Sequence, residues 1–379
     1  MEEERFTMKK YLKKILRGIG RRMIDWSKPQ ESCESQSVDY RWMDPQNEQE
    51  AVTFLVKRII ATSEKEKSDT VCLVGSDDHF AEEIEKQLPN HFSTEKFSTV
   101  QKLKRKITSS DFLGVIGIVE KNSIRIHQIA VELITSEETH NIPFEYSVIP
   151  KLENAKIGKM YENSADFISP LHIQKTSCFE LHDMSCEKFE PKTGMRDFMD
   201  LVQCINHINS RSLEGDLAEF GSFKGQSGFL TASYLEKIKS DKKLFMFDAF
   251  ENFPVESIGV DRFWSNTHEV DFEEISKKFI NFDNVELVRG DFTKTFSQSN
   301  CKKLCLVFAD CDSYRGTEFI INEIFDDLLV AGGIMIFEDY GHANLLGNRL
   351  AVHKAFDQKA NAFCFFSQFS GSFIVCKLS

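Results

Sequence analysis

The strongest constraint on the fold is a regular alternation of apolar strands and helical patterns from residue 196 to residue 379. Short apolar runs such as 244–247 and 304–309 are typical of strands that are buried on both faces of a parallel sheet. The last two runs flank Phe369-Ser370-Gly371, which favours an antiparallel hairpin. We therefore predict a doubly wound, Rossmann-like α/β sheet over 196–379 that ends in this hairpin.

The rest of the chain differs from this region in its local pattern. With 379 residues, the chain is long enough for two domains. Residues 49–150 repeat the alternation on a smaller scale and are predicted to form a small α/β domain of unknown role, in which Gly75-Ser76-Asp77-Asp78 is interpreted as a plain turn. Residues 151–195 are predicted to be an irregular connecting segment. Four residues of this segment have side chains that can bind a metal, namely His172, Cys178, His182 and Cys186. The last three would share one face of a helix and could form a metal site, but they lack standard zinc spacing, and Pro191 and Gly194 favour a loop, so we interpret them as loop residues.

Residues 1–48 are predicted to form a basic amphipathic helix over 8–26, followed by a polar linker. Such a helix can lie on an anionic membrane surface, dock on a partner protein or pack against its own chain. No run approaches the roughly 18 apolar residues that span a bilayer, and the 10 cysteines include no Cys-x-x-Cys pair. Since the N-terminus has no hydrophobic signal-peptide segment, we predict a cytoplasmic protein that can attach peripherally to the inner face of the membrane through 8–26.

Composition argues against two other classes of protein. Hydrophobic residues make up 41% of the chain and charged residues 28%, which is ordinary for a globular protein and not for a disordered one. The 47 Lys and Arg residues against 59 Asp and Glu residues give a net charge of −12. Nucleic-acid binding needs a basic surface, so we do not expect a nucleic-acid partner.

Glycines and acidic residues follow the first three strands of the C-terminal half, where ligands bind in open α/β sheets. The first strand runs into a GxxxGxxG loop whose glycines let a ligand approach the backbone, and Asp248 after the second strand can accept hydrogen bonds from ribose hydroxyls. Negative charge at Glu219 suits a sulfonium better than a pyrophosphate, so the pattern predicts an adenosine-type cofactor. The predicted cofactor-binding residues are Glu219, Gly221, Ser222, Gly225, Ser227, Asp248 and Asp291.

Carboxylates follow the next two strands, which we expect to be neighbours in the sheet. These are Asp310-Cys311-Asp312 and Glu338-Asp339. Crowded carboxylates repel one another, and a divalent cation removes that cost; oxygen ligands with open water positions suit Mg²⁺. The alternative is a set of loop acids that are solvated separately. His342 is a candidate to orient or polarise an acceptor, or else a surface histidine after a turn.

Four motifs, in order, resemble the macrocin O-methyltransferase (TylF-like) family, whose fold is that of the class I methyltransferases. They lie at 213–221, 247–254, 309–314 and 332–342, so the resemblance covers the C-terminal half only. It implies methyl transfer from S-adenosylmethionine to a sugar hydroxyl with Mg²⁺, metal ligands at Asp310, Glu338 and Asp339, and a base at Asp310. This chain departs from the family in having Glu338 where aspartate is usual, and Ala309-Asp310-Cys311-Asp312 where Leu-Asp-Gly-Asp is usual.

The sequence is therefore interpreted as an S-adenosylmethionine- and Mg²⁺-dependent O-methyltransferase for a sugar hydroxyl of a glycan, a polysaccharide or a glycosylated metabolite. Two alternatives stay open. One is an O-methyltransferase for a small phenolic or catechol acceptor, since the same metal chemistry suits any vicinal diol. The other is a non-catalytic adaptor of a glycan-assembly complex, against which the intact carboxylates argue. Homo-oligomerisation also stays open.

Overall fold

The computed structural model describes residues 47–75, 78–108, 114–120, 123–148, 178–342, 345–368 and 370–379. The predicted basic helix at 8–26, most of the linker and His172 lie outside these residues, so the interpretations placed on them stay predictions, as does the cytoplasmic location. Among the helices that are described, none combines the length and the apolar character needed to cross a bilayer.

The first of two sheets lies in the N-terminal part of the chain and is entirely parallel. Its strands are β1 (Thr70–Val74), β2 (Ser93–Phe97), β3 (Val115–Glu120) and β4 (Phe144–Val148). Their order across the sheet is β2-β1-β3-β4. The chain therefore leaves β1 towards β2 and returns past it to β3, so the direction of winding reverses at β1.

The second sheet has seven strands and carries the candidate site. The strands are β5 (Asp216–Phe220), β6 (Leu244–Asp248), β7 (Val285–Arg289), β8 (Leu304–Ala309), β9 (Leu329–Phe337), β10 (Ala362–Phe366) and β11 (Phe373–Lys377). Their order is β10-β11-β9-β8-β5-β6-β7, with β11 antiparallel to both of its neighbours. This arrangement confirms the predicted class I methyltransferase fold with its terminal hairpin.

Eleven α-helices of the described residues surround the two sheets. They are α1 (Glu48–Glu66), α2 (Asp78–Gln87), α3 (Val100–Thr108), α4 (Ser123–Ile134), α5 (Cys178–Lys188), α6 (Met195–Ser210), α7 (Gln226–Lys237), α8 (Phe272–Phe279), α9 (Phe292–Thr295), α10 (Tyr314–Ile324) and α11 (Leu346–Phe356). Short 3-10 helices cover Gly259–Trp264 and Phe296–Gln298.

Three parts of the sequence-based prediction of elements were wrong. The edge strand β2 and the helix α3 that follows it were not predicted. Strand β2 is largely exposed and polar, and so it lacks the pattern of a buried strand. The segment predicted to be irregular contains helix α5. The pair Gly332-Gly333 is typical of a helix end and predicts that the preceding helix stops there. Instead, α10 ends at Ile324 and both glycines lie inside β9, where the pairing with β8 shifts register.

The two sheets share one apolar cluster. Ile142 and Phe144 of the N-terminal part pack with Val260, Leu346 and Leu350 of the C-terminal part, and all five side chains are buried. The described residues from 47 onwards accordingly belong to one compact unit. The predicted boundary between domains 49–150 and 196–379 stays a prediction.

A buried ion pair lies close to this cluster. Arg58 of α1 donates from Nε to Oε2 of Glu145 in β4 over 2.5 Å, and neither side chain is exposed. Thr62 donates to the other oxygen of Glu145 at 2.7 Å. The guanidinium also lies over the ring of Phe263, 4.5 Å from the ring centre. Because Phe263 belongs to the C-terminal part, this pair joins both halves of the chain.

Candidate active site

Backbone hydrogen bonds at the carboxyl ends of three adjacent strands place the acidic residues side by side. The N–H of Asp310 donates to Phe220 O at 2.8 Å, and the N–H of Glu338 donates to Ala309 O at 3.1 Å. These bonds extend the β5-β8-β9 ladder just beyond the strands. As a result, one carboxylate oxygen from each of Asp310, Glu338 and Asp339 lies within 4.8 Å of the others.

The electrostatics of this group fit a cation. Burial and the charge of Asp339 raise the pKa values of Asp310 and Glu338 well above the usual range for carboxyl groups. Without a counter-charge, burial and the neighbouring carboxylates favour the neutral form of both groups. A divalent cation favours the ionised form, and three oxygen ligands are a donor set that suits Mg²⁺.

Two further carboxylates face this group and were not among the predicted site residues. Burial and the charge of Asp339 raise the pKa of Asp197, in the first turn of α6, to about 7. Burial, Asp339 and Asp310 raise the pKa of Asp312 well above its usual value. Asp312 belongs to the Asp310-Cys311-Asp312 motif at the end of β8. Asp197 had no comparable signal, because it lies more than 100 residues before Asp310 on a helix.

A cleft with about 610 Å³ of empty space, its open mouth included, adjoins the carboxylates. Its lining includes four of the predicted residues, namely Gly221, Asp248, Asp291 and Asp310. The other residues that line the cleft were not among the predicted site residues: Phe223, Ala249, Glu251, Phe253, Pro254, Glu256, His268, Phe292, Cys311, Asp312, Ser313, Arg315 and Gly316. Asp310 thus belongs both to the cleft and to the carboxylate group.

Gly221 brings the loop after β5 against the strand end that carries Asp310. Its φ of +90° lies in the left-handed region, and a Cβ there would lie 1.7 Å from Asp310 O. No other residue type fits this position without moving one backbone or the other. The loop and the Asp310 strand end are therefore fixed relative to each other.

The remaining predicted loop residues lie behind the cleft rather than along it. Glu219 is buried; Ser227 donates to its Oε1 at 2.9 Å, while Oε2 has no hydrogen-bond partner among the described residues. Burial raises the pKa of Glu219 to about 7. Ser222 is buried, and Gly225 begins α7 with a φ of +87°. These positions support the loop, and Glu219 offers a free acceptor.

Asp248 both lines the cleft and shapes it. Its Oδ2 accepts the N–H of Phe223 at 2.8 Å, and its Oδ1 accepts the N–H of Phe250 at 2.6 Å. Both oxygens keep lone pairs for a further donor. Across the cleft, Arg315 forms ion pairs with Oε2 of Glu256 at 3.3 Å and with Oδ2 of Asp291 at 3.7 Å. Arg315 therefore links the two parts of the cleft wall that carry Glu256 and Asp291.

Helix α11 holds the turn that carries Glu338 and Asp339. Asn348 donates to Glu338 O at 3.2 Å, and Arg349 donates to His342 O at 2.7 Å. The helix has no side-chain cap of its own at Leu345. Instead, the hydroxyl oxygen of Tyr146, from the N-terminal sheet, accepts the N–H of Leu346 at 2.8 Å. The N-terminal sheet thus supplies the missing cap.

His342 belongs to the same turn, where its N–H donates to Asp339 O at 2.9 Å. It is half-buried and is not among the residues that line the cleft. Its predicted role with the acceptor stays a prediction. Two of the residues interpreted as loop residues, His182 and Cys186, lie instead on helix α5. Nε2 of His182 donates to Thr193 O at 3.1 Å, and its Nδ1 lies 3.7 Å from the sulfur of Cys186.

Comparison with known proteins places the similarity in the C-terminal half. Residues 182–361 match the family model described as macrocin-O-methyltransferase (TylF). The chain is 24% identical over 162 residues to demethyldecarbamoylnovobiocin O-methyltransferase of Streptomyces niveus. It is 26% identical over 161 residues to 8-demethyl-8-(2,3-dimethoxy-alpha-L-rhamnosyl)-tetracenomycin-C 4'-O-methyltransferase of Streptomyces olivaceus. Each match covers 39% of this chain and 61% of the relative.

Among solved structures, the O-methyltransferase NovP aligns with a TM-score of 0.44 at 21% identity, over 49% of this chain and 81% of NovP. The family match includes the strand-end motifs from which the resemblance was predicted, with Asp248, Asp310 and Glu338 among them. The C-terminal half of the chain, over residues 182–361, is therefore confirmed as similar to the macrocin-O-methyltransferase (TylF) family.

Proposed function

We propose that this protein is an S-adenosylmethionine- and Mg²⁺-dependent O-methyltransferase that acts on a sugar hydroxyl. The observation that carries the proposal is the position of Asp310. Asp310 lines the cleft together with Gly221 and Asp248, and its carboxylate belongs to the three-carboxylate group. A cofactor site and a cation site that share one residue suit a reaction in which a bound hydroxyl receives a methyl group.

The proposal assigns a role to each group of residues. Asp248 would offer acceptor oxygens to the ribose of the cofactor, and the backbone at Gly221 leaves room for it, while Glu219 supports the loop from behind the cleft. Asp310, Glu338 and Asp339 would hold Mg²⁺. When bound, the cofactor supplies the methyl group and the cation polarises the acceptor hydroxyl. Asp310 takes the proton of that hydroxyl, and its fixed distance from the loop at Gly221 orients the two reactants.

A sugar acceptor is supported by the name of one relative, which specifies a rhamnosyl group as the site of methylation. The test uses the full chain with methyl-labelled S-adenosylmethionine, Mg²⁺ and matched sets of glycosides and catechols. We expect label in a glycoside product. Label in catechols alone would contradict the sugar assignment. Failure of the chain to bind S-adenosylhomocysteine would contradict the enzyme assignment itself.

Removing the Asp248 carboxylate is expected to weaken cofactor affinity at least tenfold. The loss of charge-assisted ribose hydrogen bonds is worth about 1.4 kcal/mol. Calorimetry with S-adenosylhomocysteine measures the affinity of the Asp248→Ala variant. Because Asp248 also holds the N–H groups of Phe223 and Phe250, Asp248→Asn serves as the milder variant that keeps one acceptor oxygen. The control is Asp241→Ala, at an exposed carboxylate before β6. Equal affinity in all the variants would place the adenosine elsewhere.

Tyr146→Phe is expected to raise the Mg²⁺ concentration for half-maximal activity about fivefold. The substitution leaves the first N–H of α11 without its acceptor, at a cost of about 1 kcal/mol, and α11 holds the turn with Glu338 and Asp339. The control is Tyr234→Phe, which removes another buried hydroxyl that hydrogen-bonds to Asn206 at 2.7 Å. Both variants should lose stability, and only Tyr146→Phe should change the response to Mg²⁺. A shared response would show that the cap has no role in the cation site.

A further inference from the structure

A second cavity lies in the N-terminal sheet, far along the chain from the candidate active site. It has a volume of about 200 Å³ and opens to solvent. Its apolar walls come from β1 and α2, through Leu73, Phe80 and Ile84. Its polar lining comes from the end of β2 and the start of α3, through Lys96, Ser98 and Lys102.

The position of the cavity in the fold is that of a ligand site. Gly75, the residue that follows β1, lines it, together with Phe97 and Ser98 at the end of β2. In open parallel sheets, ligands bind outside the carboxyl ends of the strands at the point where the winding reverses. In this sheet, that point is β1, which has β2 on one side and β3 on the other.

Charge selects the class of ligand. Lys96 lies 2.8 Å from Oε2 of Glu85, so its charge is compensated. The ammonium of Lys102 donates to the hydroxyl of Ser98 at 3.1 Å, and no carboxylate among the described residues lies within ion-pair distance of it. The described lining contains no acidic side chain. A cavity with apolar walls and, at its rim, a lysine that has no carboxylate partner among the described residues suits an anion that carries an apolar or aromatic group.

We propose that the N-terminal sheet binds a small molecule that carries a phosphate and an apolar group in this cavity, with the phosphate at Lys102 and Ser98 and the apolar group against Phe80 and Ile84. This site is separate from the cofactor cleft and does not depend on the proposed methyl transfer. It gives the N-terminal sheet a role in ligand recognition.

The test is calorimetry on the full chain with inorganic phosphate and with uridine diphosphate, while S-adenosylhomocysteine saturates the C-terminal cleft. We expect uridine diphosphate to bind more tightly than phosphate, since it adds contacts with the apolar walls. Lys102→Gln should weaken both at least fivefold, because a charge-assisted bond is lost. Ser98→Asp, at an exposed position, should weaken binding further by adding a negative charge at the rim.

The matched control is Lys57→Gln, which removes an exposed lysine of α1 that does not line the cavity. Its affinity should equal that of the unchanged protein, and none of the three variants should change affinity for S-adenosylhomocysteine. The proposal is overturned if neither probe binds, if S-adenosylhomocysteine displaces uridine diphosphate, or if Lys102→Gln and Lys57→Gln behave alike.

Discussion

Asp310→Asn is expected to lower the rate of methyl transfer by about 10²–10⁴-fold, the usual contribution of a proton-transfer group. Asparagine keeps the size of the side chain but cannot accept the proton of an acceptor hydroxyl. It also removes one of the three charges that would hold the cation. Binding of S-adenosylhomocysteine, measured in parallel, should persist and so show that the cleft is intact.

The same mechanism predicts that EDTA stops turnover and that added Mg²⁺ restores it. Burial and the charge of Asp339 raise the pKa of Asp310, and a bound cation favours the ionised carboxylate that can act as a base. Glu338→Gln should cost less than Asp310→Asn, because Glu338 is assigned one role and Asp310 two. The control is Asp283→Asn, at an exposed aspartate before β7. Full activity in EDTA, or an Asp310→Asn protein as active as Asp283→Asn, would exclude this mechanism.

Glu145→Gln is expected to lower the free energy of unfolding by about 3 kcal/mol. Removing one partner of a buried ion pair leaves the other charge without compensation. Arg58 would keep its position among Phe54, Tyr146 and Phe263, with no water to solvate it. Chemical denaturation with intrinsic tryptophan fluorescence measures the change, since Trp264 lies in the 3-10 helix next to Phe263.

The matched control for this variant is Glu214→Gln, which breaks an exposed pair with Lys303. Exposed pairs contribute about 0–1 kcal/mol, so its effect should be small. If both variants unfold at the same denaturant concentration, then the buried pair contributes little to stability. In that case, Arg58 is held by its aromatic neighbours.

The acidic residues at the ends of the strands could be predicted as site residues because the pattern that marks each of them is local in the sequence. A buried strand followed by an acidic residue, as at Ala309-Asp310 or Phe337-Glu338, places that residue at the carboxyl edge of a parallel sheet in any α/β fold. Adjacency of β8 and β9 then brings the carboxylates together. The fold class followed for the same reason, since the alternation of strands and helices is strong throughout the C-terminal half.

The contributions that the sequence did not reveal come from contacts between residues far apart along the chain. Asp197 approaches the carboxylates from α6, and Tyr146 caps α11 from another sheet, 200 residues away. A polar edge strand such as β2 has no hydrophobic period to detect. Without β2, the order of the first sheet and the cavity at Lys102 could not be inferred.

The apolar cluster shared by the two sheets has a practical consequence for the family-like half of the chain. A fragment that began near residue 178 would retain every residue assigned to the cleft and the cation site. It would, however, present Val260, Leu346 and Leu350 to water where Ile142 and Phe144 cover them. An exposed apolar face promotes self-association, so we expect the C-terminal half to aggregate when the N-terminal sheet is removed.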